Sequence, residues 1–567
     1  MRYINNMGNK NKEKTEKPEN RKASNHNFKR NMKKILSVAL AVLVISGVTA
    51  CRNQSEGDKN DTNITNTVKD SVIIAIGSEP ETLDPTTKGW GHGNSPIIQS
   101  TLVKYNAELN FENDLATGYE LSEDGLTWTF TIRDDAFFTD GEKVTAEDVA
   151  FTLETAKAAN GSFDLTYMES AVAQDDTTVV ITLSKPTSIF LNTLASVGIV
   201  PEHAYGDDYG TKPIGSGPYK LVEWRPQEQL MFTANENYYG GVPEIKNVTV
   251  VFMSEDAALA AVQAGQVDVA YTVATLATTK VKGYNVESIT SADNRGFTLP
   301  VLPDEGKTTE AGAPIGNNVT CNREIRQAIA YAIDRQQIAD TVLNGFGRPA
   351  YSENDGMPWN NPDVELETDV EYAKKLLADN GWEDTDGDGI MEKDGLKAEF
   401  KCVYPSGDSV RQAVGMAAAE QLLAIGIKVD IEGMSWDEIM KVMFSEAVLM
   451  GWGSSSPNET YYLYRSEGAL LDDFYNPEGY MSDVTDGYLN AAMSALTVEA
   501  ANENWKKVQW DGTTGTAMQG ECPWVWIVNL DHVTYVREGL SIGNQPIHGH
   551  GHGLPLIQNL NEWSWEK

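Results

Sequence analysis

Apolar and polar residues alternate in strict period two along Leu126-Thr127-Trp128-Thr129-Phe130-Thr131-Ile132-Arg133, the pattern of a strand with one face buried. The apolar run 72–76, ended by Gly77-Ser78-Glu79-Pro80, predicts a more deeply buried strand, and the folded body is expected to begin near Val72. Between residues 323 and 343 the period changes. Ile325, Ile329 and Ile333 stand four apart, and Ile338 and Val342 repeat that spacing, which predicts one amphipathic helix of about five turns. Thr145 before Ala146-Glu147-Asp148 reads as a helix start, with a hydroxyl capping free amides and acids in the positive first turn. Asp140-Gly141 just ahead of it reads as a turn. Strand and helix patterns intermix throughout without an internal repeat, which predicts an α/β protein. At 567 residues the chain exceeds one hydrophobic core and predicts two or three domains.

The first 70 residues do not follow these patterns. Met32-Lys33-Lys34 precedes an uncharged, mostly apolar run at 35–50, a positive region joined to a hydrophobic one, as in a secretion signal. The run is shorter than the ~20 residues of a membrane-spanning helix. It ends Val48-Thr49-Ala50-Cys51, which resembles the bacterial lipobox, so Cys51 is expected to carry a lipid and become the mature N-terminus. Residues 1–50 are therefore read as a leader with its start at Met32, and residues 51–70, rich in Asn, Ser, Thr, Asp and Lys, as a solvated tether. The expected location is extracytoplasmic, on the cell membrane as a lipoprotein, with the lipid as the sole membrane contact.

Charge narrows the partners. Residues 1–50 hold 11 Lys/Arg against 3 Asp/Glu, leaving 34 against 79 in the rest, a net of −45. A body this acidic lacks the basic face that nucleic acid binding requires. Cys321, Cys402 and Cys522 are odd in number and match no metal-binding spacing, so free thiols with at most one bridge are expected.

Several spaced segments carry a family resemblance. Leu126-Thr127-Trp128-Thr129-Phe130, Phe138-Thr139-Asp140-Gly141 and Thr145-Ala146-Glu147-Asp148-Val149-Ala150-Phe151 are followed in order by Pro213-Ile214-Gly215-Ser216-Gly217-Pro218-Tyr219, Asn235-Glu236-Asn237-Tyr238-Tyr239, Ala264-Gly265-Gln266-Val267-Asp268-Val269-Ala270 and the segment 323–335. Together they resemble the family-5 extracellular solute-binding proteins of ABC transporters, the receptors for peptides, nickel and opines, over essentially all of residues 71–567. The resemblance implies a class II periplasmic-binding-protein fold, two α/β lobes closing around a cleft, with an extra domain in the first lobe. It places lobe I at 71–115, 213–297 and 528–567, the extra domain at 116–212 and lobe II at 298–527. It also implies a monomeric receptor, not an enzyme, that hands a small ligand to permease and ATPase subunits.

Six histidines follow the leader, three of them in Ile547-His548-Gly549-His550-Gly551-His552-Gly553. Residues two apart on an extended segment face the same way, ~6.6 Å apart, and intervening glycines permit sharp bends. Neutral imidazole is a preferred donor for nickel, zinc and copper. The end of the chain resembles a nickel-binding subgroup with a His-rich C-terminal segment, which implies that His548, His550 and His552 join His92, in Trp90-Gly91-His92-Gly93-Asn94, around one divalent transition ion, free or chelated. Gly549 and Leu554 depart from that subgroup, where proline and tryptophan are expected. His203 and His532 are expected to play no part.

Trp90, Trp452, Tyr464 and Arg465 are the candidate ligand-binding residues. Peptide-binding relatives carry a cleft aspartate for the peptide's α-amino group in the region of Met450-Gly451-Trp452-Gly453-Ser454-Ser455-Ser456-Pro457, where serines stand here. A buried ammonium without a counter-charge is costly, which favours metal over an oligopeptide or dipeptide, the alternative ligand. Asp384, Asp386 and Asp388 resemble the opening of a calcium loop, but position twelve is Gly395, so a turn is expected and calcium is the alternative. No Gly-x-Ser-x-Gly, phosphate-loop or His-Glu-x-x-His motif is present, which leaves a surface zinc enzyme without a catalytic signature.

Overall fold

The computed structural model describes residues 69–90, 97–161, 163–471, 473–550 and 555–567. Three sheets dominate. A seven-stranded sheet runs, in spatial order, Tyr284–Ile289, His532–Arg537, Val269–Thr272, Ser71–Ile76, Asn247–Phe252, Gln229–Ala234 and Tyr219–Arg225. A six-stranded sheet runs Gly347–Pro349, Trp524–Leu530, Asn294–Thr298, Ala447–Met450, Glu399–Pro405 and Lys428–Met434. The third, four-stranded, holds Ala116–Leu121, Thr127–Ile132, Thr178–Leu183 and Met168–Asp175, and the helix Ala146–Ala159 packs against it. The chain is thus a mixed α/β protein with two principal sheets and a smaller inserted one. Among the described residues no helix is long and apolar enough to cross a membrane.

The local patterns explain these elements. Thr127–Ile132 buries Trp128, Phe130 and Ile132, one face of the alternation. Ser71–Ile76 lies between two parallel partners at the middle of its sheet, which is why its run is nearly continuous in apolar residues. At Thr145 the full capping box forms: the hydroxyl accepts from the Asp148 amide while Asp148 accepts from the Thr145 amide.

Residues 323–343 form two helices rather than one, Arg323–Ala332 and Arg335–Thr341. Ile333 between them is extended, at φ −77° and ψ 115°, and the Asp334 carboxylate accepts from the Gln337 amide at 2.8 Å, opening a second helix. The buried Arg335 guanidinium stabilises the break by donating to the carbonyls of Trp526, Ala330 and Ile333. Ile325 and Ile329 of the first helix, Ile333 at the break and Ile338 of the second are all buried in the core cluster that includes the six-stranded sheet.

The parallel strands set the location of the site. Asn247–Phe252 leads into the helix Glu255–Gln263, Glu399–Pro405 leads into Ser409–Leu423, and Ala447–Met450 leads through residues 451–457 into Asn458–Tyr464. In open α/β sheets, the crevice outside such carboxyl ends is where ligands bind. The chain passes from the seven-stranded to the six-stranded sheet between Ile289 and Asn294 and returns between Leu530 and His532.

Candidate functional site

A third length of chain lies against these two crossings. The His548 amide donates to the Thr290 carbonyl at 3.0 Å, the Ala292 amide donates to the His548 carbonyl at 2.8 Å, and the His550 amide donates to the Gly453 carbonyl at 2.6 Å. The C-terminal His segment is thereby laid along residues 290–293 and beside residues 451–455. Gly451 and Gly453 permit this approach. A side chain on Gly451 would collide with the Asn294 carbonyl and Arg295, and one on Gly453, at φ +143°, with the Ala292 carbonyl.

Side chains from all three lengths then meet. His550 Nδ1 lies 2.6 Å from Asp293 Oδ1. Asp293 also takes two bonds from Arg295, one of them at 3.3 Å to Oδ2. Burial alone would raise the Asp293 carboxyl, but Arg295 and His550 outweigh it and hold the group well below the usual carboxylate range. It is therefore an acceptor, and His550 Nδ1 carries a proton.

The same reasoning fixes His548. The Gln545 amide nitrogen donates to the Ile542 and Leu556 carbonyls and to Asn559 Oδ1, so its oxygen is the atom that faces His548 Nε2 at 3.0 Å. His548 Nε2 must donate. Burial first, and then the charge of His532, keep the His548 ring well below the ordinary imidazole range, so the ring is neutral and its Nδ1 accepts. That nitrogen lies 3.1 Å from His532 Nδ1, which must be the donor. His532 Nε2 in turn stands 3.8 Å from Asp293 Oδ2, an electrostatic contact too long for a hydrogen bond. Both ring nitrogens of His548 are thus engaged within the protein.

The surrounding crevice is charged. Tyr271, at the carboxyl end of its strand, makes an edge contact with His532 at 6.3 Å between ring centroids. Arg411, beside Asp408 at the start of the helix Ser409–Leu423, is pushed down to about 10, first by burial and then by the positive charge of Arg295. The Nε atoms of Arg295 and Arg411 are buried without a partner. Glu255, at the start of the helix Glu255–Gln263, is raised by burial and then by Asp408. Glu459 accepts from the Gly453 amide at 3.0 Å, and burial pushes its carboxyl up to about 8.

The remaining expected residues are dispersed. Trp452 stacks on Tyr475, 4.6 Å between centroids, and is held to Asn294 through its backbone. Arg465 lies over the rings of Tyr461 and Tyr462, and Tyr462 bonds Asp164 of the inserted domain at 2.8 Å. Tyr464 is fully enclosed, its hydroxyl 3.1 Å from Glu353. Trp90 stacks on Phe232 in the seven-stranded sheet's core. His203 bonds Asp140 at 2.7 Å in the inserted domain. His92, His552 and Cys51 lie outside the described residues. Cys321, Cys402 and Cys522 are free thiols.

Asp384, Asp386 and Asp388 come together with Glu392, every ligand atom within 4.8 Å of the others. The Lys397 ammonium pairs with Asp386 at 3.1 Å, with Asp388 and with Glu392, so a protein cation already offsets part of the charge of this turn. Sequence reasoning missed Asp293, His532, Gln545, Arg295 and Arg411, none of which sits in a local motif.

The comparisons with known proteins agree with this architecture. The model of the bacterial extracellular solute-binding proteins, family 5 middle region, matches residues 110–469, and the chain belongs to that family. Such proteins are the extracytoplasmic substrate-binding components of ABC transporters, which work with permease and ATPase subunits, and are not enzymes. Protein XP55 of Streptomyces lividans is 33% identical over 518 residues, 88% of this chain and 90% of that protein. The oligopeptide-binding protein AppA of Bacillus subtilis is 29% identical over 460 residues, 76% of this chain and 82% of its own. Among solved structures, NikZ of Campylobacter jejuni in complex with Ni(L-His) superposes with a TM-score of 0.71 at 24% identity, covering 88% of this chain and 99% of that one. At that identity the likeness bears on the fold.

Proposed function

We propose that this receptor captures a divalent transition metal, nickel or a related ion, either free or held by a small chelator. The observation that carries the reading is the convergence of the C-terminal His segment with the two interlobe crossings, with His550 held by the Asp293 carboxylate. His552 follows two residues later, and His92 is the further candidate ligand. His548 is the fourth, and to bind metal it would have to release one of its two ring hydrogen bonds. The buried Arg295 and Arg411 guanidiniums, each with an unpartnered Nε, suit the carboxylate of a chelator.

A peptide is the second reading, favoured by the relative named as oligopeptide-binding. Against it, residues 454–456 are serines, Glu459 nearby is held largely uncharged at neutral pH, and the carboxylates of Asp293 and Asp408 are already paired with Arg295 and Arg411. Titration calorimetry of the full chain with nickel chloride, nickel with L-histidine, zinc chloride and mixed peptides separates the two. Tight binding of metal or metal chelate, lost in His550→Ala/His552→Ala, is expected. Equal affinity in that double variant would return the peptide reading to first place.

The location carries a second proposal, lipidation at Cys51 after the apolar run 35–50. Expressed in a bacterial host, the wild-type chain should sediment with membranes and Cys51→Ser should be released or remain unprocessed. Undiminished membrane retention of Cys51→Ser would count against the lipid anchor.

A further inference from the structure

A metal-binding imidazole must present one particular nitrogen, and an unrestrained ring divides its proton between two. Here the choice is made by groups outside the set of expected ligands. His550 Nδ1 donates to Asp293 Oδ1 at 2.6 Å, so in the neutral ring the lone pair resides on Nε2. Asp293 is itself held on two sides, by Arg295 and by the ring of His532 at 3.8 Å. His532 is fixed in turn by His548, and His548 by Gln545, whose orientation three acceptors determine. The chain of contacts draws on both interlobe crossings and on the C-terminal segment.

We propose that Asp293 is the positioning residue of the metal site, fixing His550 in the Nδ1–H tautomer that offers Nε2 to the ion, with the His532–His548–Gln545 chain holding Asp293 in place. This rests on the metal reading given above, but it assigns different work to different histidines: His550 is a ligand, while His532 and His548 act behind it. A carboxylate bonded to the far nitrogen of a ligating histidine fixes the ring and raises its basicity, and removing such a partner typically weakens metal binding about 10–100-fold.

The test uses two readouts on the full chain. Long-range nitrogen–proton correlation spectra of protein labelled with ¹⁵N-histidine, without metal, report the tautomer of each ring, and His550→Gln assigns the signal. Calorimetry with nickel chloride reports affinity. In the wild type, His550 should show a non-protonated Nε2. Asp293→Asn should mix the two tautomers and weaken nickel binding about 10–100-fold, while His203→Gln changes neither readout. Asp293→Asn leaves Arg295 without its counter-charge, so if that variant fails to fold, His532→Gln, which keeps the Asp293–Arg295 pair, carries the test, with a smaller shift in both readouts expected. A wild-type spectrum and wild-type affinity in whichever variant is folded would overturn the proposal and leave the metal reading standing. Wild-type protein that takes up no nickel would overturn both, and the spectrum would still show whether Asp293 governs the tautomer.

Discussion

Glu478 offers a stability test that is independent of the ligand. It is 1% exposed, its Oε1 accepts from the Trp524 indole at 3.0 Å, and Oε2 is buried without a partner. Burial pushes the carboxyl up to about 8, whereas a glutamate in an unfolded chain titrates near ~4.3. Between these values the folded protein retains a proton that the unfolded chain has released. Stability contributed by the protonated acid is therefore fully present below the unfolded value and declines as pH rises, at a slope of about 1.4 kcal/mol per pH unit. Across pH 5 to 8 this amounts to a loss on the order of 4 kcal/mol from one side chain. Glu478→Gln keeps the acceptor for Trp524 and cannot ionise. Urea titrations of both proteins at pH 5, 6, 7 and 8 should show similar stabilities at pH 5 and a widening advantage for Glu478→Gln above it. Parallel stability profiles over the whole range would refute the assignment of a neutral, buried Glu478.

Three further expectations follow from described geometry. Gly453→Ala should lower the unfolding temperature and weaken ligand binding together, because the added methyl meets the Ala292 carbonyl at a φ of +143° and such strain costs about 1–3 kcal/mol; unchanged melting and affinity would contradict the close approach. Asp334→Ala should cost about 1 kcal/mol through loss of the cap on Arg335–Thr341, and an unaltered denaturation midpoint would argue against the break at Ile333. Crevice contacts from both lobes should favour a closed state when ligand is bound, so small-angle scattering should show a smaller radius at saturation, and an unchanged radius would mean a preformed rigid site.

Features set by near neighbours were legible in the sequence. The alternation at 127–132 and the helix start capped by Thr145 depend on residues a few positions apart, and both form as expected. The helix break was marked locally only by a five-residue step from Ile333 to Ile338 in an otherwise fourfold spacing, a signal too slight to separate two helices from one. What separates the halves is Arg335 reaching the Trp526 carbonyl, on a strand 191 positions further along the chain. The site divides in the same manner. His-x-His-x-His announces itself within five residues, but Asp293 and His532 become neighbours through the pairing of strands at the two crossings, and nothing adjacent to either marks it. Tyr464 had the local appearance of a crevice residue, while its hydroxyl has a buried partner in Glu353.

The first strand of the folded body, Ser71–Ile76, is an interior strand, bonded in parallel on both sides, and the Trp565 indole near the chain's end donates to the Ser71 carbonyl at 3.0 Å. Any pull transmitted through the preceding chain therefore acts along two hydrogen-bond ladders at once. Such a load shears many bonds together, whereas a pull on an edge strand peels them one at a time. Were the body held through the chain ahead of Ser71, as the proposed lipid anchor at Cys51 would have it, the load would fall on a strand that resists unravelling from its end.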